Sequence, residues 1–558
     1  MGAGPDAEAR PRFPSPAVIP PARPFLNRPV RLCYIALAMG MGPHLSRREI
    51  LNSVPVLSCG AVLVPLNGQT SLAPKGVIRG ALRDGATGRP VAAKIRVTNL
   101  ATGEAHVPAS CIQTMPKQSK TGVRYFYARD GYEVAVPPGR YRIEVVRGIC
   151  HQPAVAEVDA ESGSTRVRDF SVPLLWDLHT SGWYSGNTHT HYNVDIEESV
   201  DERLRLVPQA EAVDVSVISY LIRNTLPYAS NRIPIGRLPQ FSRDGTILDM
   251  GEECRNNSAS NSIASGYGHC LFLNIPRLVQ PVSTGMLSPD GKAPDFPTLS
   301  MLCAEARRIG GTTVWCHNGN GLEAPVAVAL GHVDALNIAD GFPVDYDWYY
   351  RFLNCGFRLP ISTGTDWWEY DHNRVFVQVG GPFSYETWLA GLRAGRTFIS
   401  NGPLLQLEVN GQGPGSVVKS AGPLKVRARA LSRVPFERLE IVADGEVVAS
   451  QTAVNRQEAK LEREIAAGGS GWIAARVAGT TTTRLGYPVF AHTNPVYIQA
   501  GAPPRRRAEA ARALIEQIDG ATSLIRKHYR FASDADQAIA LGRFEQGKQY
   551  YAKVLEKP

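Results

Sequence analysis

The sequence predicts a multidomain protein with a central α/β region, an all-β region on either side of it, and a helical tail. From Trp176 onward, short apolar strands alternate with helical stretches, which is typical of a parallel α/β sheet or barrel. The flanking regions are β-rich and divided by Gly-containing turns. The chain has 558 residues, of which 44% are hydrophobic, enough for about three or four domains with sizeable cores.

The first all-β region covers residues 75–172. Its predicted strands include residues 93–98, 132–136 and 141–145, and Pro137-Pro138-Gly139 joins the last two. Runs of β-rich residues separated by Gly and Pro are typical of strands and hairpins. The order of these motifs resembles the carboxypeptidase regulatory-like β-sandwich, a module that accompanies many exported hydrolases. The resemblance implies a structural or adhesive role for this region.

The central region covers residues 176–402. Strands are predicted at 213–219, 312–316 and 358–362, and a helix is predicted at 297–309. In β/α barrels, the carboxyl ends of the strands form the mouth of the active site. Residues that follow these strands are therefore the first candidates for a functional role.

The second all-β region covers residues 403–500, where Asn410-Gly411 and Asp444-Gly445 mark turns between strands. Pro503-Pro504 is predicted to be a linker, and residues 505–558 are predicted to be a short helical tail. One face of this tail is apolar and consists of Ala510, Leu514, Ile515 and Ile518. The sequence leaves open whether this face packs on the body of the protein or on a partner.

Residues 1–73 form a leader with features of an export signal. Met41 provides a start, Arg47-Arg48 follows it, and residues 54–66 are apolar. Paired arginines before a short apolar stretch resemble a twin-arginine signal. The stretch is too short to span a bilayer, which takes about 20 apolar residues. We therefore expect an exported protein, periplasmic or extracellular, with no integral membrane segment.

Charge and cysteine content argue against two classes of function. The net charge is +9, of which residues 1–73 carry +4, and no run of Lys and Arg interleaves with aromatic residues. A nucleic-acid partner is therefore not predicted. The nine cysteines include no Cys-x-x-Cys pair, so neither a disulfide framework nor a thiolate zinc cluster is indicated. The expected partner is a small-molecule or glycan-like substrate, and the number of subunits stays open.

The strongest functional signal is the motif Gly186-Asn187-Thr188-His189-Thr190-His191. Residues two apart on a strand point to the same face, so both histidines are predicted to bind one metal ion. Imidazole is a common ligand of zinc and similar divalent metals. Four further candidates stand beside other apolar strands: Glu253 (preferred over Glu252 on spacing), His269, His317 and Asp366. Each alone is as often a core or surface residue, so only the combination predicts a metal site.

The order of these motifs, with a His-x-His, a Gly-x-Glu, a later His and a final Gly-x-Asp, resembles the PHP superfamily. The likeness is greatest to its CehA/McbA-type metallohydrolases, and it covers residues 176–500. Residues 394–403 and His492-Thr493-Asn494-Pro495 are also similar to that group. The resemblance implies a PHP-like distorted β/α barrel flanked by the two β-sandwich domains. It also implies a metal-dependent hydrolase that binds divalent metal, Zn before Mn or Fe, through His189, His191, Glu253, His269, His317 and Asp366. Metal-activated water would then cleave an ester, amide, carbamate or phosphoester.

Two departures from the family pattern reduce the implied ligand set. Residues 217–221 lack the usual Asp-His, and Trp368 stands where a histidine usually follows Asp366. One or two ions are therefore expected instead of three. Tyr220 and Arg374 are candidates to stabilise developing oxyanion charge. The competing interpretations for these two residues are core packing and a surface ion pair.

Two other functions stay open. A barrel with a reduced ligand set between two β-sandwiches also fits a catalytically inactive exported protein that binds glycans or a surface. Alternatively, the metal only stabilises the fold. A structural zinc ion is closed by four protein ligands, whereas a catalytic one keeps a position for water. The number of ligands around each ion therefore bears on this choice.

Overall fold

The computed structural model describes residues 74–114, 120–192, 200–222, 228–243, 245–255, 266–283, 294–366, 373–420, 422–466 and 468–556. These residues form a mixed α/β structure in which strands predominate. The strands lie in several sheets, and the largest described sheet has 16 strands. The predicted combination of α/β and β structure is thereby confirmed in this coarse form. The predicted leader, residues 1–73, lies outside the described residues.

The first all-β region contains two sheets. Its strands are β1 (Gly76–Asp84), β2 (Ala92–Asn99), β3 (Ala105–His106), β4 (Phe126–Arg129), β5 (Gly131–Val136), β6 (Gly139–Val146), β7 (Ala154–Ala160), β8 (Thr165–Val167) and β9 (Phe170–Val172). One sheet has the order β5-β1-β8 with β9 also on β1, and the other has β3-β2-β6-β7 with β4 also on β2. In β5, Tyr132, Val134 and Val136 are buried while Glu133 and Ala135 are exposed. This alternation gives the strand one face for the core.

The central region alternates strands and helices. They are β10 (Trp183–Asn187), α1 (Val200–Ala210), β11 (Val215–Tyr220), β12 (Gly236–Arg237), β13 (Ile247–Cys254), β14 (Cys270–Leu273), α2 (Leu299–Arg308), β15 (Thr312–Trp315), α3 (Ala324–Ala329), β16 (Ala335–Asn337), α4 (Asp347–Asn354), β17 (Ile361–Ser362), β18 (Arg374–Gln378), α5 (Tyr385–Arg393) and β19 (Thr397–Ser400). The strand order is β17-β16-β15-β14-β13-β11-β10-β18-β19. Strands such as β14 and β15 are buried along their whole length, as expected for strands that are covered on both faces.

The predicted parallel pairing is interrupted by antiparallel strands, of which β14 and β18 lie within the row of parallel strands and β12 and β19 pair beside it. β10, β11 and β13 are parallel to one another, as are β15, β16 and β17. However, β14 is antiparallel to both β13 and β15, and β18 is antiparallel to β10. An antiparallel partner needs no crossover helix, which is why strand-helix alternation does not reveal it. One consequence is that β14 begins at the edge where β13 and β15 end.

The second all-β region shares the large sheet with the central region. Its strands are β20 (Leu404–Val409), β21 (Val417–Lys419), β22 (Leu424–Leu431), β23 (Arg438–Ala443), β24 (Glu446–Thr452), β25 (Glu458–Ile465), β26 (Gly471–Ala478), β27 (Ala491–Thr493) and β28 (Val496–Gln499). The large sheet continues from β19 through β27, β26 and β23 to β24, while β20, β22 and β25 form a separate three-stranded sheet. Leu407, Val426 and Ile441 are part of one core between these layers.

The tail consists of α6 (Arg507–His528) and α7 (Asp534–Glu556). Ala510, Leu514 and Ile518 are buried in the same core as α2 and α3, and the Tyr551 hydroxyl donates to the Pro325 carbonyl at 2.8 Å. The apolar face of the tail therefore packs on the body of the protein. Among the described residues, no helix combines the length and apolar character needed to cross a membrane.

Candidate metal centre

The six predicted ligands meet at one edge of the large sheet. β10, β13, β15 and β17 end at this edge, and the antiparallel β14 begins there, so these five strands deliver all six residues. Each side chain is almost completely buried: His189, His191, Glu253, His269, His317 and Asp366. Their ligand atoms fall into groups in which all atoms lie within 4.8 Å of one another.

The backbone around the centre adopts left-handed conformations that residues other than glycine rarely adopt. His317 and Asp366 have φ values of 58° and 62°, and Ala339 has a φ of 63°. Each such left-handed residue costs roughly 1–2 kcal/mol, and strain of this kind concentrates at functional sites. Gly364 allows the close approach of the strands, because a Cβ there would lie 2.4 Å from Cβ of His189.

Group A consists of His189, His191, Glu253 and Asp366. Nε2 of His189 lies 3.1 Å from Nε2 of His191 and 3.4 Å from Oδ1 of Asp366. Nε2 of His191 lies 2.8 Å from Oε2 of Glu253 and 3.6 Å from Oδ1 of Asp366. Four ligands at about 2.1 Å from a zinc ion are roughly 3.4 Å apart in a tetrahedron. The four atoms of group A therefore have a spacing close to that of a zinc shell.

Group B consists of Glu253, His269 and His317. Nδ1 of His269 lies 3.0 Å from Oε1 of Glu253 and 3.0 Å from Nε2 of His317. Glu253 thus offers Oε2 to group A and Oε1 to group B. One carboxylate joins the two groups.

Hydrogen bonds on the far side of each ring show which nitrogens face the centre as acceptors. Nδ1 of His189 donates to Oδ2 of Asp340 at 2.9 Å, and Nδ1 of His191 donates to the Ser219 carbonyl at 2.9 Å. Both Nε2 atoms therefore direct lone pairs at the carboxylates of Glu253 and Asp366. Oε2 of Glu253 and Oδ1 of Asp366 are buried and have no hydrogen-bond partner among the described residues. Two buried carboxylate oxygens without a hydrogen-bond donor, next to two imidazole nitrogens, fit a cation.

The charge balance of the site also fits a cation. Three buried carboxylates, Glu253, Asp340 and Asp366, face one buried guanidinium, that of Arg255, whose Nε donates to Oε1 of Glu253 at 2.8 Å. With neutral imidazoles this leaves a net charge of −2. Uncompensated buried charge is costly, and one divalent ion cancels it.

The pKa values follow from this excess of negative charge. Burial by itself lowers the pKa of His189, but three neighbouring carboxylates, Asp366 first, raise it to about 9. Burial likewise lowers the pKa of His317, and Asp340 in particular raises it well above its ordinary value. Burial and then the charge of Arg255 lower the pKa of His269 to about 3. Without metal, protons on His189 and His317 offset the carboxylates.

Asp340 and Arg255 are residues of the site that the sequence analysis missed. Asp340 contacts two of the ligand histidines, and it follows β16 just before Gly341. A polar residue shortly after an apolar strand is the same signal that marked His317 and Asp366, so Asp340 was detectable. Arg255 follows Glu253 by two residues on the same strand face, but no sequence pattern separates it from a surface arginine.

Tyr220 and Arg374 lie in different surroundings from the six ligands. Tyr220 pairs with Glu252 across β11 and β13, so it shares the face of Glu252, opposite to that of Glu253. There it packs against the core around α1. Arg374 is buried and directs its Nη2 to Glu211 at 3.5 Å. Their roles in oxyanion stabilisation stay predictions, and Arg255 is the guanidinium that contacts a ligand.

Glu252 and Glu253 have separate environments. Oε2 of Glu252 accepts a hydrogen bond from the Val279 backbone at 2.9 Å, and burial raises the pKa of Glu252 to about 7. For Glu253, burial raises the pKa, but Arg255 and the imidazoles hold it well below its ordinary value. Of the two, Glu253 is the one whose oxygens belong to the metal-binding groups.

No protein-family model matches the sequence, and no curated protein matches it. Among solved structures, the chain is similar to the Bacillus anthracis TIE protein at 7% identity and a TM-score of 0.13, over 76% of this chain and 50% of that one. It is also similar to a glycosyl hydrolase family 2 member from Bacteroides cellulosilyticus DSM 14838, at 9% identity and a TM-score of 0.17, over 77% and 63% of the two chains. The chain thus spans less than two thirds of either structure. TM-scores this low carry no argument about fold or function.

Proposed function

We propose that this protein is an exported metal-dependent hydrolase of the PHP, CehA/McbA-like type, with one or two divalent ions, preferentially zinc, at groups A and B. The observation that carries the proposal is the convergence of buried ligand atoms from His189, His191, Glu253 and Asp366, together with the lack of a hydrogen-bond partner for Oε2 of Glu253 and Oδ1 of Asp366 among the described residues. Donors of nitrogen and oxygen, without sulfur, suit Zn²⁺, Mn²⁺ or Fe²⁺.

The number of donors in group B supports an enzyme over a metal site that only stabilises the fold. Group A offers four protein donors, which is the number found in closed structural sites. Group B offers three, namely Glu253, His269 and His317. Three protein ligands leave a position for water or substrate, as catalytic zinc sites do.

The fold also supports the likeness to PHP proteins. The segment after β17 returns to the segment after β10, where Thr190 and Asp366 form a parallel bridge and the Thr365 amide donates to the His189 carbonyl at 2.9 Å. Such a return supports closure of the strands from β17 to β10 into a distorted barrel. The β-sandwich assignment of the flanking regions and the export signal belong to the same proposal.

In hydrolysis, the residues of the centre would hold the ion and fix the orientation of its ligands. When bound there, Zn²⁺ would lower the pKa of water from 15.7 to about 7 and would polarise the scissile carbonyl or phosphoryl group. His189 and His191 are held by their Nδ1 hydrogen bonds so that Nε2 faces the centre. Glu253 holds the two groups at a fixed separation, and its charge balances Arg255.

Arg255 and Phe342 are the residues proposed to act on the substrate. The guanidinium of Arg255 lies beside Glu253 and its charge also acts on His269. A fixed positive charge at this place stabilises negative charge that develops during hydrolysis. The ring of Phe342 is 48% exposed and lies 4.7 Å from the ring of His317. It offers an apolar wall for the non-reacting part of a small-molecule or glycan-like substrate.

The test combines elemental mass spectrometry with a panel of chromogenic ester, amide, carbamate and phosphoester substrates, on the full chain and on His191→Ala. His179→Ala is the matched control, because His179 precedes β10, is 57% exposed and pairs with Asp214 instead of the centre. We expect one or two ions and turnover in the wild type and the control, and loss of both in His191→Ala.

Full metal content in His191→Ala would refute the assignment of group A. Wild-type protein with bound metal but no turnover on any ester, amide, carbamate or phosphoester would favour the rival function. In that case, glycan binding measured on the same preparation would identify an inactive exported binding protein.

A further inference from the structure

We propose that Asp340 is a positioning residue that orients one histidine of each ligand group, so that groups A and B depend on a single carboxylate outside both. The inference rests on the metal centre proposed above. Asp340 follows β16 by three residues and is completely buried at the edge where the six ligands meet. Three observations carry the proposal: its bond to group A, its bonds to group B, and the way it is itself held.

The contact with group A fixes the tautomer of His189. Oδ2 of Asp340 accepts from Nδ1 of His189 at 2.9 Å, and both side chains are fully buried. A metal-binding imidazole commonly donates its other nitrogen to a carboxylate, which sets the ring orientation and makes the ligand more basic. Asp340 therefore leaves Nε2 of His189 as the lone pair that faces the other ligands of group A.

The contacts with group B fix both the backbone and the ring of His317. Oδ1 of Asp340 accepts from the backbone amide of His317 at 2.7 Å. The backbone carbonyl of Asp340 accepts from Nδ1 of His317 at 2.8 Å. His317 has a φ of 58°, a conformation that needs support from its surroundings. These two hydrogen bonds supply that support and turn Nε2 of His317 toward His269.

Asp340 is itself held rigidly by its neighbours. Nδ2 of Asn337 donates to Oδ2 of Asp340 at 3.0 Å. The preceding Ala339 is held from both sides, since its amide donates to Asn318 and its carbonyl accepts from Asn373, each at 2.8 Å. A carboxylate fixed in this way transmits its position to both histidines.

The same contacts argue that Asp340 positions ligands and does not bind an ion itself. The atoms of His189, His317 and Asp340 lie close enough for a third ion. However, Oδ1 already accepts from the His317 amide, and Oδ2 accepts from His189 and Asn337. A third ion would have to displace these donors.

The test measures zinc affinity by competition with a chromophoric chelator, and ion number by elemental mass spectrometry, on full-length Asp340→Asn. Asn keeps the shape of the side chain but replaces one acceptor oxygen by a donor, so at least one of the three N–H groups loses its partner, and the negative charge beside both histidines is removed. Loss of an outer carboxylate costs about 10- to 100-fold in metal affinity. We expect such a loss for both ions, with the ion number restored at saturating zinc.

Two further measurements separate positioning from a general structural role. The absorption spectrum of the cobalt-loaded variant should differ from that of the wild type, because the ligand rings are no longer fixed. Asp334→Asn is the matched control: Asp334 lies just before β16 and accepts from the amide and hydroxyl of Thr313, at 2.9 and 3.0 Å. The control should keep wild-type zinc affinity and the wild-type cobalt spectrum.

Unchanged affinity for both ions in Asp340→Asn overturns the proposal. So does loss of one ion with unchanged affinity for the other, since this would make Asp340 a ligand. Should Asp340→Asn fail to fold, Asn337→Ala removes one hydrogen bond to Asp340 and should lower the affinity for both ions by a smaller factor. Unchanged affinity in Asn337→Ala would then overturn the proposal. Wild-type protein that binds no zinc refutes the metal centre itself, which keeps the two failures distinct.

Discussion

Substitution of Glu253 by Gln tests the carboxylate that the two ligand groups share. Glu253 offers Oε2 to His191 at 2.8 Å and Oε1 to His269 at 3.0 Å. The substitution keeps the shape of the side chain and removes its charge. Both groups should therefore lose affinity together, whereas a change at a ligand of one group should act mainly on that group.

The structure sets the expected magnitude of two effects. Loss of an outer partner of a ligand costs roughly 10- to 100-fold in metal affinity, so loss of the shared ligand should cost at least about 100-fold at each group. In the metal-free protein, Glu253 pairs with Arg255 at 2.8 Å, and both are buried. Breaking a buried ion pair from one side costs about 3–5 kcal/mol. We expect the lower value, because Asp366 and Asp340 remain in the site.

Zinc affinity is measured by chelator competition, and stability by urea unfolding in the presence of a chelator. Glu252→Gln is the control: its carboxylate lies on the opposite strand face, and its pKa is raised to about 7 by burial, so a neutral amide resembles its protonated form. The control should keep zinc affinity and lose less than about 1 kcal/mol. Retention of zinc in Glu253→Gln together with its loss in Glu252→Gln would refute the assignment of the bridging ligand.

Three further predictions follow from the same contacts. The pKa of His189 is raised to about 9, so below that pH a proton must leave His189 before metal binds. Apparent zinc affinity should therefore rise by up to about tenfold per pH unit toward pH 9. Calorimetry in two buffers should detect the released proton, and a pH-independent affinity would contradict this prediction. Gly364→Ala places a Cβ 2.4 Å from Cβ of His189 and should weaken zinc binding at least about tenfold. Gly413→Ala, whose Cβ meets nothing within 4 Å, should leave zinc affinity unchanged. Equal affinities in the two variants would show that the His189 strand can move aside. Glu211→Gln removes the carboxylate that contacts buried Lys94 at 2.8 Å and Arg374 at 3.5 Å, and should lower the free energy of unfolding in urea by about 3 kcal/mol. Glu462→Gln, in the exposed pair with Arg427, should lower it by less than about 1 kcal/mol. Equal losses in the two variants would rule out a buried ion pair as the cause.

Local patterns in the sequence sufficed to predict several elements and the position of candidate ligands. The helix predicted at 297–309 corresponds to α2, and the strand predicted at 312–316 corresponds to β15. Periodicity succeeds here because each element buries one side or its whole length against neighbours. A polar residue at the end of such a strand, such as His317, interrupts an apolar run, and this makes it visible in the sequence.

Pairings between distant residues could not be predicted in this way, because no local pattern in the sequence encodes them. The antiparallel direction of β14, which brings His269 to the edge with His317, depends on contacts that form only in the folded sheet. One partner of Arg374 is the buried Glu211, 163 residues away, where the sequence suggested a surface ion pair or an oxyanion role.

The sequence by itself determined that His189 and His191 share a strand end and that acidic residues and further histidines follow other strands. The tertiary structure alone decided that Glu253 joins two groups and that Asp340 orients a histidine of each. The physical reason is that ligand type and strand periodicity are local properties, whereas the spacing of lone pairs and the balance of buried charge are set by five strands meeting at one edge.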